Sequence, residues 1–312
     1  MTPKDQIDLT RIRSALVGTR FNGQFHHFST IASTSSKLLA DIATGALEGT
    51  VYFADEQTAG RGRGNHVWHS APCEGLYLSA LVRPILRADD ALLLSLATGL
   101  AVQQAILEVT TLEVDLRWPN DLMLAAPDVD EKPNGKESSL DKNPSLDDEF
   151  DTGEVSDGGE KKLGGILVES SVEPGRTSKL RYAVIGIGIN VHQTSFPPEL
   201  EPIATSLHIA ERNRRDDPDD VLPLFRAPIL ISLLRALDLE LLSLERDPVK
   251  GRAQLLARFS AASTWVQDKR VRVSEQGGYT GITAGLDARG FLLVDSADGR
   301  RRTVLSGGVR GI

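Results

Sequence analysis

Arginine and glycine alternate through Gly60-Arg61-Gly62-Arg63-Gly64, a stretch that opens on Glu56-Gln57-Thr58-Ala59 and closes on Asn65-His66-Val67-Trp68. Glycine lets a backbone come close to a ligand, and arginine presents a permanently charged, planar fork of donors. Interleaved, they suit a loop folded over an anion, a phosphate or a carboxylate. An arginine- and glycine-rich tail that binds nucleic acid looks alike over five residues. This stretch, however, lies between two apolar, strand-like runs, Thr50–Phe53 and Leu76–Leu81, so it is a connection inside a folded domain.

Four further clusters carry chemistry-bearing residue types. Arg117-Trp118-Pro119-Asn120-Asp121 sets an aromatic, a strand-breaking proline and two polar side chains at a strand end. Lys161-Lys162-Leu163-Gly164-Gly165-Ile166-Leu167-Val168-Glu169 puts a lysine before a glycine pair and a strand. Gly186-Ile187-Gly188-Ile189-Asn190 is a second glycine-lined strand end followed by an amide, and Ser33-Thr34 offer hydroxyls at a helix start. Taken singly, each has a plain structural reading: a core tryptophan, turn glycines, a solvated lysine, a helix cap. Neither Gly-x-x-x-x-Gly-Lys-Ser/Thr nor a strand followed by Gly-x-Gly-x-x-Gly and a helix occurs, so any nucleotide is handled by another route.

The elements that must position these clusters are legible in outline. Ser33-Thr34-Ser35-Ser36 caps a short helix, Lys37–Ile42, which ends at Gly45 and Gly49. Strands follow at Thr50–Phe53 and Leu76–Val82, then an apolar helix at Asp89–Glu108, a short strand at Val114–Trp118, and strands at Gly165–Ser170 and Tyr182–Ile189. Val221–Leu244 carries Arg226, Arg235, Asp238 and Glu240, which makes it an amphipathic helix and not a membrane span. From about Ser263 the pattern changes to short strands, Arg270–Ser274, Tyr279–Thr283, Gly290–Asp295 and Arg302–Leu305, separated by glycine turns. That spacing suits a small β-barrel. Residues 126–160 are crowded with Asp, Glu, Ser, Asn, Gly and Pro, too polar to offset the entropy of ordering, and read as an acidic, disordered insertion between strands. Lengthening a connection from roughly six to forty residues costs only about 1.7 kcal/mol, so a fold tolerates it.

At 312 residues the chain has room for a large core and a smaller domain. Its formal charge of -8 argues against general affinity for DNA, RNA or anionic lipid. Cys73 is the only cysteine, and the first twenty residues lack a signal-peptide pattern, which together point to a soluble protein of a reducing compartment, the cytoplasm.

In this order and at these separations, the five clusters resemble the biotin–protein ligase family, from about Ser33 to Asn190. The resemblance resumes at Gly281–Asp287 and Gly290–Val294, which look like the family's C-terminal domain. It implies an α+β fold: a mixed β-sheet flanked by helices, of the class II aminoacyl-tRNA synthetase and biotin–lipoate ligase type, then an SH3-like barrel. It divides the chain into an N-terminal extension (1–22), a catalytic domain (23–262) and the barrel (263–312). It implies ATP, biotin and Mg²⁺, a biotinyl-5′-AMP intermediate, and transfer to a lysine of a biotin carboxyl carrier domain of acetyl-CoA carboxylase or a related carboxylase, with AMP and pyrophosphate released. By similarity Ser33, Thr34 and Gln57 bind the ureido ring, and the backbones of Gly60, Gly165 and Gly186 lie against the bicycle. Arg61 and Arg63 cover the carboxylate and phosphate, Trp68 stands beside adenine, and Asn120 and Asp121 orient phosphate and metal. Lys162, not Lys161, meets the α-phosphate, and Asn190 completes the nucleotide end. Asp121 is also a candidate to receive the proton of the incoming lysine.

The chain departs from the family pattern in three places. Gly64-Asn65-His66 stands where x-Gly-Arg is usual, removing one lid arginine and leaving His66 as a candidate substitute. Ser35 replaces a common asparagine, and Arg117 a lysine. Some members carry an N-terminal DNA-binding domain; about thirty residues before Ser33 are too few for one. Members commonly dimerise, and a homodimer is left open. A biotin-binding sensor without catalysis and a lipoate ligase are the competing readings.

Overall fold

The computed structural model describes residues 5, 7–64, 66–125, 159–173, 179–215, 223–275, 277–306 and 308–312. The acidic stretch singled out above falls outside them, except for Gly159 and Glu160, and so does Asn65.

Seven strands make the main sheet: β1 (Phe25–Ile31), β2 (Val51–Gln57), β3 (Gly75–Val82), β4 (Asp115–Arg117), β5 (Asp121–Ala125), β6 (Glu160–Val172) and β7 (Leu180–Asn190). Their spatial order is β1-β2-β3-β7-β6-β5-β4. β1 and β2 pair in parallel and the other neighbours antiparallel, so the sheet is mixed. Its two faces have different fates. Ile185, Ile187 and Ile189 of β7 point into the core shared with helices α3 (Ala91–Thr110) and α5 (Arg226–Arg246). Helix α2 (Thr34–Ile42) packs Leu38 on the other face, against Tyr52, Leu81 and Val184.

Local chemistry explains the element ends. Ser33 is the N-cap of α2: its backbone is extended and its Oγ accepts the Ser36 amide at 3.3 Å. Helix α3 is apolar on nearly all sides; it is long and apolar enough to cross a membrane, yet 67% of that stretch is buried within the fold. Helix α5 begins at Arg226, five residues later than the sequence pattern suggested. Two further helices, α4 (Leu207–Asn213) and α6 (Pro248–Ala261), were not singled out from sequence; Asp247 caps α6 through the Lys250 amide, with Pro248 in its first turn. Helix α1 (Leu9–Ala15) buries Ile12 in the same core.

A second sheet follows: β8 (Gln267–Val273), β9 (Tyr279–Leu286), β10 (Leu292–Ser296), β11 (Arg301–Val304) and β12 (Val309–Gly311), antiparallel in the order β11-β10-β9-β8-β12. It agrees with the small β-domain expected. Two side chains from the end of β4 fasten it: Trp118 Nε1 donates to the Gly290 carbonyl at 2.9 Å, and Arg117 Nη2 to the Val309 carbonyl at 2.8 Å. The Arg117 guanidinium also lies 4.1 Å from the Trp265 ring, whose Nε1 donates to Glu160 at 2.8 Å.

Behind the sheet, Arg226 is buried with its side chain 2% exposed. It pairs with Asp5 at 2.8 Å and Asp55 at 2.9 Å, while His192 and His27 meet the same two carboxylates. Burial alone would raise the Asp5 carboxyl; the hydrogen bonds from His192 and Arg226 outweigh it and hold the group below the ordinary carboxylate range. Removing a buried partner leaves an uncompensated charge, so Arg226→Met should cost about 3–5 kcal/mol in urea unfolding at neutral pH. A carboxyl whose folded pKa is depressed contributes stability above its unfolded value, near 4, and loses it as pH falls through the folded value. The gap between wild type and Arg226→Met should therefore narrow in acid. A gap below about 1 kcal/mol at neutral pH, or one that widens in acid, contradicts this account of the network.

Candidate active site

The face of the sheet beside α2 is nearly bare at its centre. Register pairs Gly186 with Leu167 and Gly188 with Gly165, so alternate positions of β7 and β6 put glycines side by side on one surface. The space above them is already claimed. A Cβ at Gly186 would stand 2.7 Å from Ser35 Oγ, and one at Gly188 would stand 2.5 Å from the Trp68 ring. These glycines form a floor on which α2 and the indole can settle.

Above that floor lies a cavity of about 710 Å³. Of the residues expected to carry function, every one except Gly60 lines it. Gly60 sits behind, where a Cβ would meet Ser70 Oγ at 2.9 Å and Gln57 Nε2 at 3.3 Å. A second, more open cavity of about 400 Å³ beside Tyr52 contains none of these residues.

One end of the pocket is neutral and hydrogen-bonded throughout. The Gln57 side-chain oxygen accepts from the Thr34 amide at 2.9 Å and the Thr34 hydroxyl at 3.1 Å, while its Nε2 donates to Ser70 Oγ at 3.1 Å. Ser79 Oγ lies 2.8 Å from both Thr34 Oγ1 and Ser35 Oγ. Ser33, Thr34, Ser35 and Ser79 are buried. The network fixes its own rotamers and suits a polar, uncharged ring system.

The other end is cationic. Lys162 Nζ donates to Asp121 Oδ1 at 2.6 Å, with Asn120 beside Asp121 in the chain. Lys162 lies within β6, not before it. A register shift explains why it, and not its neighbour, faces the pocket. Asp121 pairs with Gly165 and Leu122 with Gly164, but Met123 pairs with Lys162, so Leu163 is bulged out of the ladder. Strand side chains alternate with a period of two, and the extra residue turns Lys162 onto the face of Gly165 and Asp121. Leu163 goes into the core at 0% exposure. The main chain of Lys162 is held on its other side by a parallel bridge: its N donates to the Ile203 carbonyl at 2.8 Å, and its carbonyl accepts from Thr205 N at 2.9 Å. Lys161 points away, to the Glu201 carbonyl at 2.9 Å.

The arginine/glycine segment closes the pocket as a tight hairpin. Arg61 and Val67 bridge antiparallel, Gly62 N donates to the His66 carbonyl at 2.8 Å, and Trp68 N to the Gly60 carbonyl at 2.9 Å. The Arg63 Nη1 is buried without a hydrogen-bond partner among the described residues, and so is Trp68 Nε1. Burial lowers the Arg63 pKa, opposed by the carboxylates of Asp121 and Glu275. Arg61 instead holds Glu169 through both terminal nitrogens, at 2.9 and 2.8 Å. The Asn190 amide is occupied by protein: Nδ2 donates to the Thr205 carbonyl at 2.9 Å, and Oδ1 accepts from Gln193 at 3.2 Å. Asn120 Nδ2 donates to the Ile166 carbonyl at 3.2 Å.

Lysine and arginine line the pocket at Arg61, Arg63, Arg117, Lys162 and Arg310, against the single carboxylate of Asp121 among the described lining residues. Such a site favours anions. No group of three or more His, Cys, Asp or Glu able to hold a metal ion occurs among the described residues. One carboxylate with a neighbouring amide fits a Mg²⁺ whose remaining ligands are phosphates and water, not an all-protein cage.

Sequence reasoning missed the serines beneath α2 and the reach of the second sheet, whose Ser306, Gly308, Val309 and Arg310 border the pocket. Ser79 did leave a signal: it is a polar residue in the otherwise apolar strand Leu-Tyr-Leu-Ser-Ala-Leu-Val. Glu275 carries the edge of that reach, accepting from the amides of Leu305 and Ser306 at 3.0 and 2.5 Å. No local pattern marks it.

Comparison with known proteins agrees with this architecture. Residues 28–190 match the biotin/lipoate A/B protein ligase family, and residues 268–309 match the biotin protein ligase C-terminal domain. The chain is 34% identical over 201 residues to the bifunctional ligase/repressor BirA of Bacillus subtilis, covering 64% of this chain and 50% of that one. It thus spans about half the length of the Bacillus relatives. It is 30% identical over 325 aligned positions to the biotin–[acetyl-CoA-carboxylase] ligase of Mycobacterium tuberculosis, covering 99% of this chain and 98% of the relative. Among solved structures, the biotin protein ligase of Aquifex aeolicus in complex with biotin and ATP shares the fold, with a TM-score of 0.63 at 24% identity, over 92% of this chain and 97% of that one.

Gly188→Ala tests the floor. Its methyl must displace the Trp68 ring, so the variant should lose about 1–3 kcal/mol of stability and change its tryptophan emission. Gly165→Ala, where a Cβ would meet the same ring at 3.4 Å, should do markedly less. Equal behaviour of the two variants contradicts the packing described.

Proposed function

The chain belongs to the biotin/lipoate A/B protein ligase family, and from that premise we propose that it activates biotin with ATP and transfers it to a lysine of a carrier protein. The observation that carries this reading is a single pocket whose neutral, hydrogen-bonded end lies opposite a cationic end built on Lys162, Arg63 and Asp121. Biotin has matching halves, a neutral ureido ring and a carboxylate on an apolar tail. Lipoate has the carboxylate but no ureido group, so the network at Ser33, Thr34 and Gln57 favours biotin.

In the proposed first step the biotin carboxylate attacks the α-phosphorus of ATP and pyrophosphate leaves. Lys162 balances the charge that builds on the α-phosphate, and its ion pair with Asp121 holds the ammonium ready before substrate arrives. Arg63 covers the acyl phosphate, with Arg61 at the foot of the same hairpin, and Gly165 and Gly186 keep the floor close to the bicycle while Gly60 backs the wall behind Gln57. Trp68 stands beside the nucleotide. The Asn190 amide supports that end indirectly, by fixing the turn at Gln193 and Thr205. Mg²⁺, held by Asp121 with help from Asn120 and the phosphates, would neutralise phosphate charge. In the second step the amine of the target lysine attacks the acyl carbon of biotinyl-5′-AMP, and AMP leaves; Asp121 takes the released proton. The name of the M. tuberculosis relative supports a biotin carboxyl carrier domain of acetyl-CoA carboxylase as the acceptor.

Exchange of labelled pyrophosphate into ATP reads the first step alone. It should require biotin, and Lys162→Ala should slow it about ten- to hundredfold, the value of one charge-assisted hydrogen bond. Biotin binding without exchange would replace the ligase reading with a sensor, and exchange with lipoate in place of biotin would change the substrate.

A further inference from the structure

The two arginines of the hairpin do different things. Arg63 turns a buried guanidinium into the pocket with Nη1 unpartnered among the described residues. Arg61 faces Glu169 fork to fork, at 2.8 and 2.9 Å, with Ser36 Oγ at 3.5 Å from the same Nη1. Glu169 follows Gly165 and Leu167 at intervals of two along β6, so it rises from the face that floors the pocket. The backbone of Arg61 is the base of the hairpin, where it bridges Val67. The pair therefore ties the foot of the loop that carries Arg63 and Trp68 to the strand opposite.

We infer that Glu169 is a positioning residue: through Arg61 it straps the hairpin across the pocket and so sets where Arg63 and Trp68 meet the ligand. The inference rests on the function proposed above for the identity of the ligand, but not for the strap itself. With Arg61 42% and Glu169 25% exposed, the tie is a surface ion pair of ordinary strength, enough to bias a loop and weak enough to yield. A bidentate arginine–carboxylate fork also fixes direction, which a lone point charge does not.

Glu169→Gln keeps the shape and removes the charge. In the ligand-free protein, trypsin should cut the Arg63–Gly64 bond up to about fivefold faster in this variant than in wild type, as read by mass spectrometry. In biotin-dependent pyrophosphate exchange the KM for biotin should rise by a similar factor, with kcat moving less. The charge-swapped double variant, Arg61→Glu with Glu169→Arg, should recover protease resistance at Arg63–Gly64. Cleavage of Glu169→Gln no faster than wild type, or a swap that fails to restore resistance, overturns the strap. Should wild type show no exchange at all, the ligase reading falls, while the proteolysis result still decides the strap.

Discussion

The site depends on one irregularity in one strand. The bulge at Leu163 lets a single strand send an apolar side chain into the core and, one residue earlier, a lysine onto the opposite surface beside Asp121. In a regular ladder Leu163 would hold the place opposite Met123, and Lys162 would face the helices. The Ile203–Thr205 segment holds both main-chain groups of Lys162 next to the bulge. The lysine is therefore fixed by main-chain geometry on one side and by a carboxylate on the other.

Around that pair the fold divides labour by material. Glycines at 165, 186 and 188 clear the floor, and the serines and threonine at the start of α2 supply hydroxyls whose partners are already in place. The hairpin supplies positive charge from above. The second sheet supplies a wall, held at the mouth because the tryptophan and arginine at the end of β4 reach across to Gly290 and Val309. The arginine at position 117 thus has structural work here, stacked on Trp265 while donating to Val309. A lysine's single ammonium could not stack in the same manner.

Much of this was legible from sequence. The glycine and arginine loop, the strands on either side of it, the cap at Ser33, the change to short strands after Ser263 and the small β-domain all follow from local chemistry, whereas the mixed sheet came from the resemblance. What stayed hidden depends on contacts between distant residues. The choice of Lys162 over Lys161 came from resemblance; its physical reason is a register shift against β5, which no window of β6 contains. The ion pair of Arg61 was hidden because its partner, Glu169, lies 108 residues away in the chain. The turn that engages the Asn190 amide is likewise apparent only after folding. The second sheet's part in the pocket required knowing how the two sheets meet.

The proposed reaction turns on one intermediate, a mixed anhydride of biotin and AMP retained between the two ends of one pocket. Incubating the protein with biotin, Mg²⁺ and ATP labelled at the α-phosphate, then passing it rapidly through gel filtration, measures that species directly. Label should travel with the protein only when biotin is present, be absent when ATP is labelled at the γ-phosphate instead, and chromatograph after denaturation as biotinyl-5′-AMP. Protein-bound α-label that forms equally without biotin, or none from folded protein that binds both substrates, would contradict it.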